Sequence, residues 1–105
     1  MDINEERLKK DARFKEILLG EHNKALAKLL KDKDFRFYMS ELLGYCKTFQ
    51  NAFSEKGNVA AFNNGMQYAG QKIFNDIMVI DPNAYILMCE EEKEILALRD
   101  TIEGN

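Results

Sequence analysis

The stretch that decides the fold is FRFYMSELLGYCKTF, residues 35–49. Its apolar side chains recur at steps of three, one, three, one, three and three, at Phe35, Tyr38, Met39, Leu42, Leu43, Cys46 and Phe49. Apolar residues with this period share one face of an α-helix, whereas a half-buried strand alternates at every second residue. Asp34 precedes the stretch and suits the N-cap position. The spacing therefore predicts a helix over 35–49 with one buried face.

A second long helix is predicted on the C-terminal side, over 59–79, after a polar loop at 50–58 that ends with Asn58 as its cap. Its apolar residues follow at steps of three or four, at Val59, Phe62, Met66, Ala69, Ile73 and Ile77. Gly65 and Gly70 lie inside this helix, and Gly44 lies inside the first. Because a glycine costs a helix about 1 kcal/mol relative to alanine, we expect these glycines to serve close packing between helices.

Helical segments flank this pair on both sides. Strong helix formers dominate 3–19, and an amphipathic segment follows at 21–31. Gly20 between them favours two helices or one bent helix, although a single helix over 4–31 would tolerate it. At the other end, Asp81 and Pro82 occupy the cap and first helical positions of a last helix, which runs to about 102.

Length and composition agree with this assignment. The chain has 105 residues, a single Pro and no Trp, which suits one small domain built from long helices. We therefore expect an all-α fold, a small single-domain bundle of four or five helices. Its expected parts are an N-terminal helical arm (1–34), a central helix pair (35–80) and an acidic C-terminal helix (81–105).

The distribution of charge excludes some classes of partner. The net charge is −3. The arm carries nine basic and eight acidic residues, whereas 81–105 carries two basic and seven acidic ones. Phosphate binding needs clustered Lys and Arg, so nucleic acid is not an expected partner. A membrane is not expected either, because no window has 18 consecutive apolar residues and the N-terminus lacks the pattern of a signal peptide.

No catalytic or metal-binding motif is present. His22 is the single histidine, and Cys46 and Cys89 lack ligand spacing, so both cysteines are expected to be free thiols used as small apolar side chains. The acidic run at 90–94 points around a helix instead of converging on a cation. We therefore expect no enzyme activity, no metal and no cofactor.

The central pair resembles a known phage domain. The segments that carry the resemblance are LLGYCKTF at 42–49, NAF at 51–53 and AFNNGMQYAG at 61–70, followed by Ile73 and Ile77. Their phenylalanine and glycine spacing is similar to that of the Bbp-nineteen-like domain of tailed bacteriophages. The chain departs from that pattern at Gln67 and Tyr68, where an arginine and a small polar residue are expected.

This resemblance implies a small virion protein without enzyme activity or cofactor, placed in or near the capsid or tail machinery. It would be made in the cytoplasm of the bacterial host, and its partners would be other virion proteins or further copies of itself. The residues expected to fix the helix pair or to contact other proteins are Gly44, Phe49, Phe53, Phe62, Gly65 and Gly70.

Two other functions remain open at this point. A small nucleic-acid-binding regulatory or packaging protein would use the basic residues of 7–31, and its DNA binding would weaken with salt. A host-directed inhibitor would present the acidic run at 90–94 to a basic site on a host protein.

Overall fold

Four α-helices make up the fold. The computed structural model describes residues 2–50 and 54–104. The helices are α1 (Ile3–Leu29), α2 (Lys33–Tyr45), α3 (Gly57–Ile80) and α4 (Pro82–Glu103). No strand occurs in these described residues. The expectation of a small all-α single-domain bundle is confirmed, with four helices.

The first helix is longer than the sequence suggested. α1 continues through Gly20 without interruption, so the expectation of two helices is wrong. The surrounding run of strong helix formers absorbs a cost of about 1 kcal/mol for one glycine. None of the residues of α1 is buried. The buried residue that anchors the helix to the core, Leu30, follows directly after it.

Aspartates begin three of the helices, at positions close to those expected. Asp81 caps α4 and Pro82 occupies its first turn, as predicted. The cap of α2 is Asp32 instead of Asp34, since the Asp32 carboxylate accepts a hydrogen bond of 3.0 Å from the Phe35 amide. α3 begins at Gly57, ahead of Asn58, and has no side-chain cap.

α2 ends at Tyr45 instead of reaching Phe49, and its end has a definite cause. Lys47 has a φ of 54°, a left-handed conformation that L-residues rarely adopt. Its amide donates to the Gly44 carbonyl at 3.0 Å, while the Thr48 amide donates to the Leu43 carbonyl at 3.2 Å. This pair of bonds is a Schellman motif, in which the left-handed residue is usually glycine. A lysine there gave no stop signal in the sequence.

The four helices meet at one small core. Its buried apolar residues come from the end of α1 and from α2, α3 and α4, and they are Leu30, Leu43, Ile77, Ala84 and Met88. Half-buried side chains surround them, including Phe35, Met39, Ile73, Phe74 and Tyr85. The contacts join α2 to α4, α3 to α4, α2 to α3, and α1 to α3.

The molecule is elongated. Its extents are 74 × 39 × 16 Å and its radius of gyration is 19.1 Å, whereas a compact domain of this length has about 13 Å. Residues 2–22 of the arm and 92–104 of the last helix are all exposed. Both ends of the chain therefore project from the core. Over the described residues, none of the helices has the combination of length and apolar content that a membrane span requires.

We expect the stability of the fold to depend strongly on Ile77, because its side chain is fully buried in the core. We expect Ile77→Ala to lower the free energy of unfolding by about 2–5 kcal/mol, because it removes apolar contacts and leaves a cavity. Val79→Ala on the same helix is the control, since Val79 is exposed and should change the free energy by less than about 0.5 kcal/mol. Urea unfolding followed by circular dichroism measures both. Equal losses in the two variants would contradict the core as described.

Candidate functional site

The six residues predicted to pack or interact do not form one cluster. Gly70 is buried at the junction between α3 and the segment after α2. Phe49 is exposed, as are Gly44, Phe62 and Gly65. Phe53 lies outside the described residues.

Gly70 is a true packing glycine. A Cβ at this position would collide with the Thr48 hydroxyl and lie 2.9 Å from the Cβ of Cys46. Thr48 cannot move aside freely, because it is buried and its hydroxyl donates a hydrogen bond of 2.7 Å to the Leu43 carbonyl. The close approach of α3 to the end of α2 therefore requires glycine here.

Gly44 and Gly65 do not have this role within the chain. A Cβ on either residue would meet nothing within 4 Å, so the expectation that they relieve helix contacts inside the bundle is wrong. Both face open space on exposed helix surfaces, as does Phe62, whose side chain is 64% exposed. Their contact with another protein stays a prediction.

Phe49 joins a small aromatic cluster. Its ring meets Phe74 edge-on with centroids 5.1 Å apart, and Phe74 meets Tyr85 in the same way at 4.9 Å. Burial raises the pKa of Tyr85 above its usual 10.0, and a hydrogen bond to Cys89 acts in the same direction. The cluster connects the segment after α2 to both α3 and α4.

Polar contacts reinforce the same junction. The Lys47 ammonium donates to the Asn63 side-chain oxygen at 3.2 Å, and Asn63 is buried. The Gln67 amide donates to the Lys47 carbonyl at 3.3 Å and to the Gln50 carbonyl. Gln67, one of the departures from the phage pattern, thus holds the chain that leaves α2 against α3.

An ion pair between α2 and α4 is the main feature that the sequence did not reveal. The Arg36 guanidinium lies 2.7 Å from a carboxylate oxygen of Glu91, and the two side chains are only 11% and 17% exposed. Arg36 also donates to the Leu30 carbonyl at 2.9 Å. The hydrogen bond to Glu91 raises the pKa of Arg36. Because 55 residues separate the partners, no local pattern indicates the pair.

Beside this ion pair, α2 and α4 enclose an open groove of about 190 Å³, which we call the α2–α4 groove. Apolar atoms form most of its exposed wall, and Phe37, Ile95 and Leu96 remain 47%, 45% and 41% exposed. Two exposed carboxylates, Glu41 and Glu92, also line it. Arg36 and Glu91 line the groove as well but neutralise each other, so Glu41 and Glu92 give this mostly apolar surface a net negative charge.

The exposed part of α1 is the second unusual surface. Leu8, Phe14, Ile17, Leu18 and Leu19 are all exposed although each has a large apolar side chain. Near the core, α1 contacts α3, where His22 lies 3.7 Å from the Asp76 carboxylate. Leu18 and Leu19 line a cavity against α3, whereas Leu8, Phe14 and Ile17 lie in the stretch 2–22, which is exposed throughout.

The remaining candidate groups are the potential metal ligands and the two cysteines. Within 2–50 and 54–104, no three His, Cys, Asp or Glu side chains are grouped in a way that could hold a metal ion. Cys46 is buried and Cys89 is half-buried, and both are free thiols. Comparisons with protein-family models, with curated proteins and with solved structures found no match for this chain.

Gly70 and Gly65 lie on the same helix, but substitution by alanine should change the stability of the protein in opposite directions. Gly70→Ala should lower the free energy of unfolding by about 1–3 kcal/mol, because the added methyl overpacks the junction with Thr48. Gly65→Ala on the same helix should raise it by about 0.5–1 kcal/mol, since it improves helix propensity in open space. Chemical unfolding of the two variants compares them directly. A gain in both would show that α3 does not approach Thr48 closely.

The ion pair between Arg36 and Glu91 leads to a second prediction about stability. Arg36→Met should lower the free energy of unfolding by about 3 kcal/mol, because the largely buried Glu91 carboxylate loses its partner. Replacing both residues, as Arg36→Met with Glu91→Leu, should restore most of that loss.

The control for this pair is Lys33→Met, which removes an exposed ion pair with Glu94 between the same two helices. It should change the free energy by less than about 0.5 kcal/mol, because exposed pairs contribute little. Thermal unfolding that gives the same loss for Arg36→Met and Lys33→Met would contradict the special role of the buried pair.

Proposed function

We propose that this chain is a small structural or accessory protein of a tailed-bacteriophage particle, acting through protein–protein contacts in or near the capsid or tail machinery. It catalyses no reaction and uses no cofactor. It is made in the cytoplasm of the bacterial host and ends in the virion. Its partners are other virion proteins or further copies of itself.

The observation that carries the proposal is the exposed apolar surface. Side chains as large as Phe14, Leu18 and Leu98 are more than half exposed on helices that project from a small core. A soluble monomer rarely exposes contiguous apolar patches larger than a few hundred Å², and larger ones usually mark contacts with other molecules. Such a chain is suited to burying its helices in an assembly.

The phage setting is supported by the resemblance of 42–49 and 61–70 to the Bbp-nineteen-like domain. Two positions of that pattern, Phe49 and Gly70, lie at the junction between α3 and the end of α2. A shared spacing at a packed junction is what a common fold would require. The exposed Phe62 and Gly65 would then serve contacts outside the chain.

Quantitative mass spectrometry of purified particles tests the proposal. Particles made from the genome that encodes this chain should contain it in a constant ratio to the major capsid protein after density-gradient purification. An abundant non-structural protein of the same genome is the control for contamination, and its abundance should drop during the purification. A genome that makes no particle, or particles from which this chain is lost together with the control, would overturn the proposal.

A further inference from the structure

The α2–α4 groove and the exposed face of α1 have complementary chemistry. Along α1, Ile3, Arg7, Lys10, Phe14 and Ile17 follow at alternating steps of four and three, which places them in one stripe, the α1 stripe. It combines apolar and basic side chains and contains no acidic residue. The groove combines apolar side chains with the Glu41 and Glu92 carboxylates.

The α1 stripe is not the side of the helix that contacts α3. The side chains that line the cavity against α3 are Lys15, Leu18, Leu19 and His22. At 100° per residue, the centre of the stripe lies roughly 110° around the helix from the centre of that set. The stripe therefore stays open while α1 remains packed on α3.

The chain cannot fill the groove with its own stripe. α1 is one continuous helix that leads into the buried anchor Leu30, so its outer part cannot fold back without breaking the helix. In the structure α1 contacts α3, and the groove lies between α2 and α4. The occupant that fits must come from another molecule.

We propose that the α1 stripe of one copy occupies the α2–α4 groove of a second copy, and that two copies exchange these contacts reciprocally to form a symmetric dimer. Phe14 and Ile17 lie against Phe37, Ile95 and Leu96, while Arg7 and Lys10 face Glu41 and Glu92. This inference rests on the proposed function, because it names a second copy as one of the protein partners.

The area available favours the reciprocal arrangement. In each copy, Ile3, Phe14 and Ile17 on the arm and Phe37, Ile95 and Leu96 in the groove are 41–80% exposed. At on the order of 100 Å² for each side chain, a reciprocal dimer buries roughly 1,200 Å² of apolar surface in total, the lower end of a stable interface. A single contact would bury about half of that, which is typical of weak or packing contacts.

Charge reversal on both sides of the contact tests the dimer. The wild-type chain should have the mass of a dimer in light scattering at about 100 μM. Reversing the arm, with Arg7→Glu and Lys10→Glu, places like charges together in both contacts and should weaken the dimer at least about 100-fold. Reversing the groove, with Glu41→Lys and Glu92→Lys, should weaken it to the same degree.

A mixture of the two reversed variants gives the decisive result. In a mixed dimer both contacts again join opposite charges, so dimer formation should return to within about threefold of wild type. The control is Lys9→Glu with Arg13→Glu, which has the same net charge as the arm variant but lies outside both the stripe and the side of α1 that faces α3, and should leave the dimer unchanged. Circular dichroism of each variant should match the wild type, which shows that the helices are retained.

Other outcomes overturn the inference. A monomeric wild type overturns it, and so does a dimer that survives both reversals or a mixture that stays monomeric. A monomer that is nevertheless found in purified particles overturns the dimer and leaves the proposed function in place. A dimer that follows the charge rules but never enters particles upholds this contact and overturns the virion role.

Discussion

The burial of Ile77 against Leu30, Leu43, Ala84 and Met88 is the contact on which the rest of the structure depends. Here the end of α1 meets the other three helices. Isolated helices shorter than about 12–15 residues are marginal in water, and α2 has 13 residues. Packing of its apolar face on this core therefore stabilises α2, and with it the placement of the groove.

Polar contacts determine how the helices lie on that small core. The Arg36 guanidinium joins α2 to Glu91 of α4 and to the carbonyl of Leu30 at the end of α1, so three elements share one charged group. On the other side, the left-handed Lys47 ends α2 and leaves Thr48 packed against Gly70. Hydrogen bonds are directional whereas apolar burial is not, so these contacts select one arrangement among those that bury the same side chains.

The core is too small to cover the apolar surface that the helices carry. Leu30 anchors the end of α1, but the remainder of that helix and the last turns of α4 extend beyond their neighbours. The apolar side chains of these two segments are spaced like those of a buried helix face, yet they remain exposed in the described residues. These exposed side chains remain available for contact with a second copy of the chain or with another protein, as proposed above.

The sequence by itself determined the all-α fold, the approximate extent of the helices and the capping of α4 by Asp81 and Pro82. These follow from local periodicity, helix propensity and capping, which act over a few residues. It also pointed to Gly70 and Phe49, although it could not separate Gly70 from Gly44 and Gly65, because a helix glycine looks the same whether it faces a neighbour or open space. Only the tertiary structure decided the end of α2 at Lys47, the Arg36–Glu91 pair, the groove beside it and the exposure of the α1 arm. Those features depend on which distant surfaces meet, and the pairing of residues 55 positions apart leaves no local pattern in the chain.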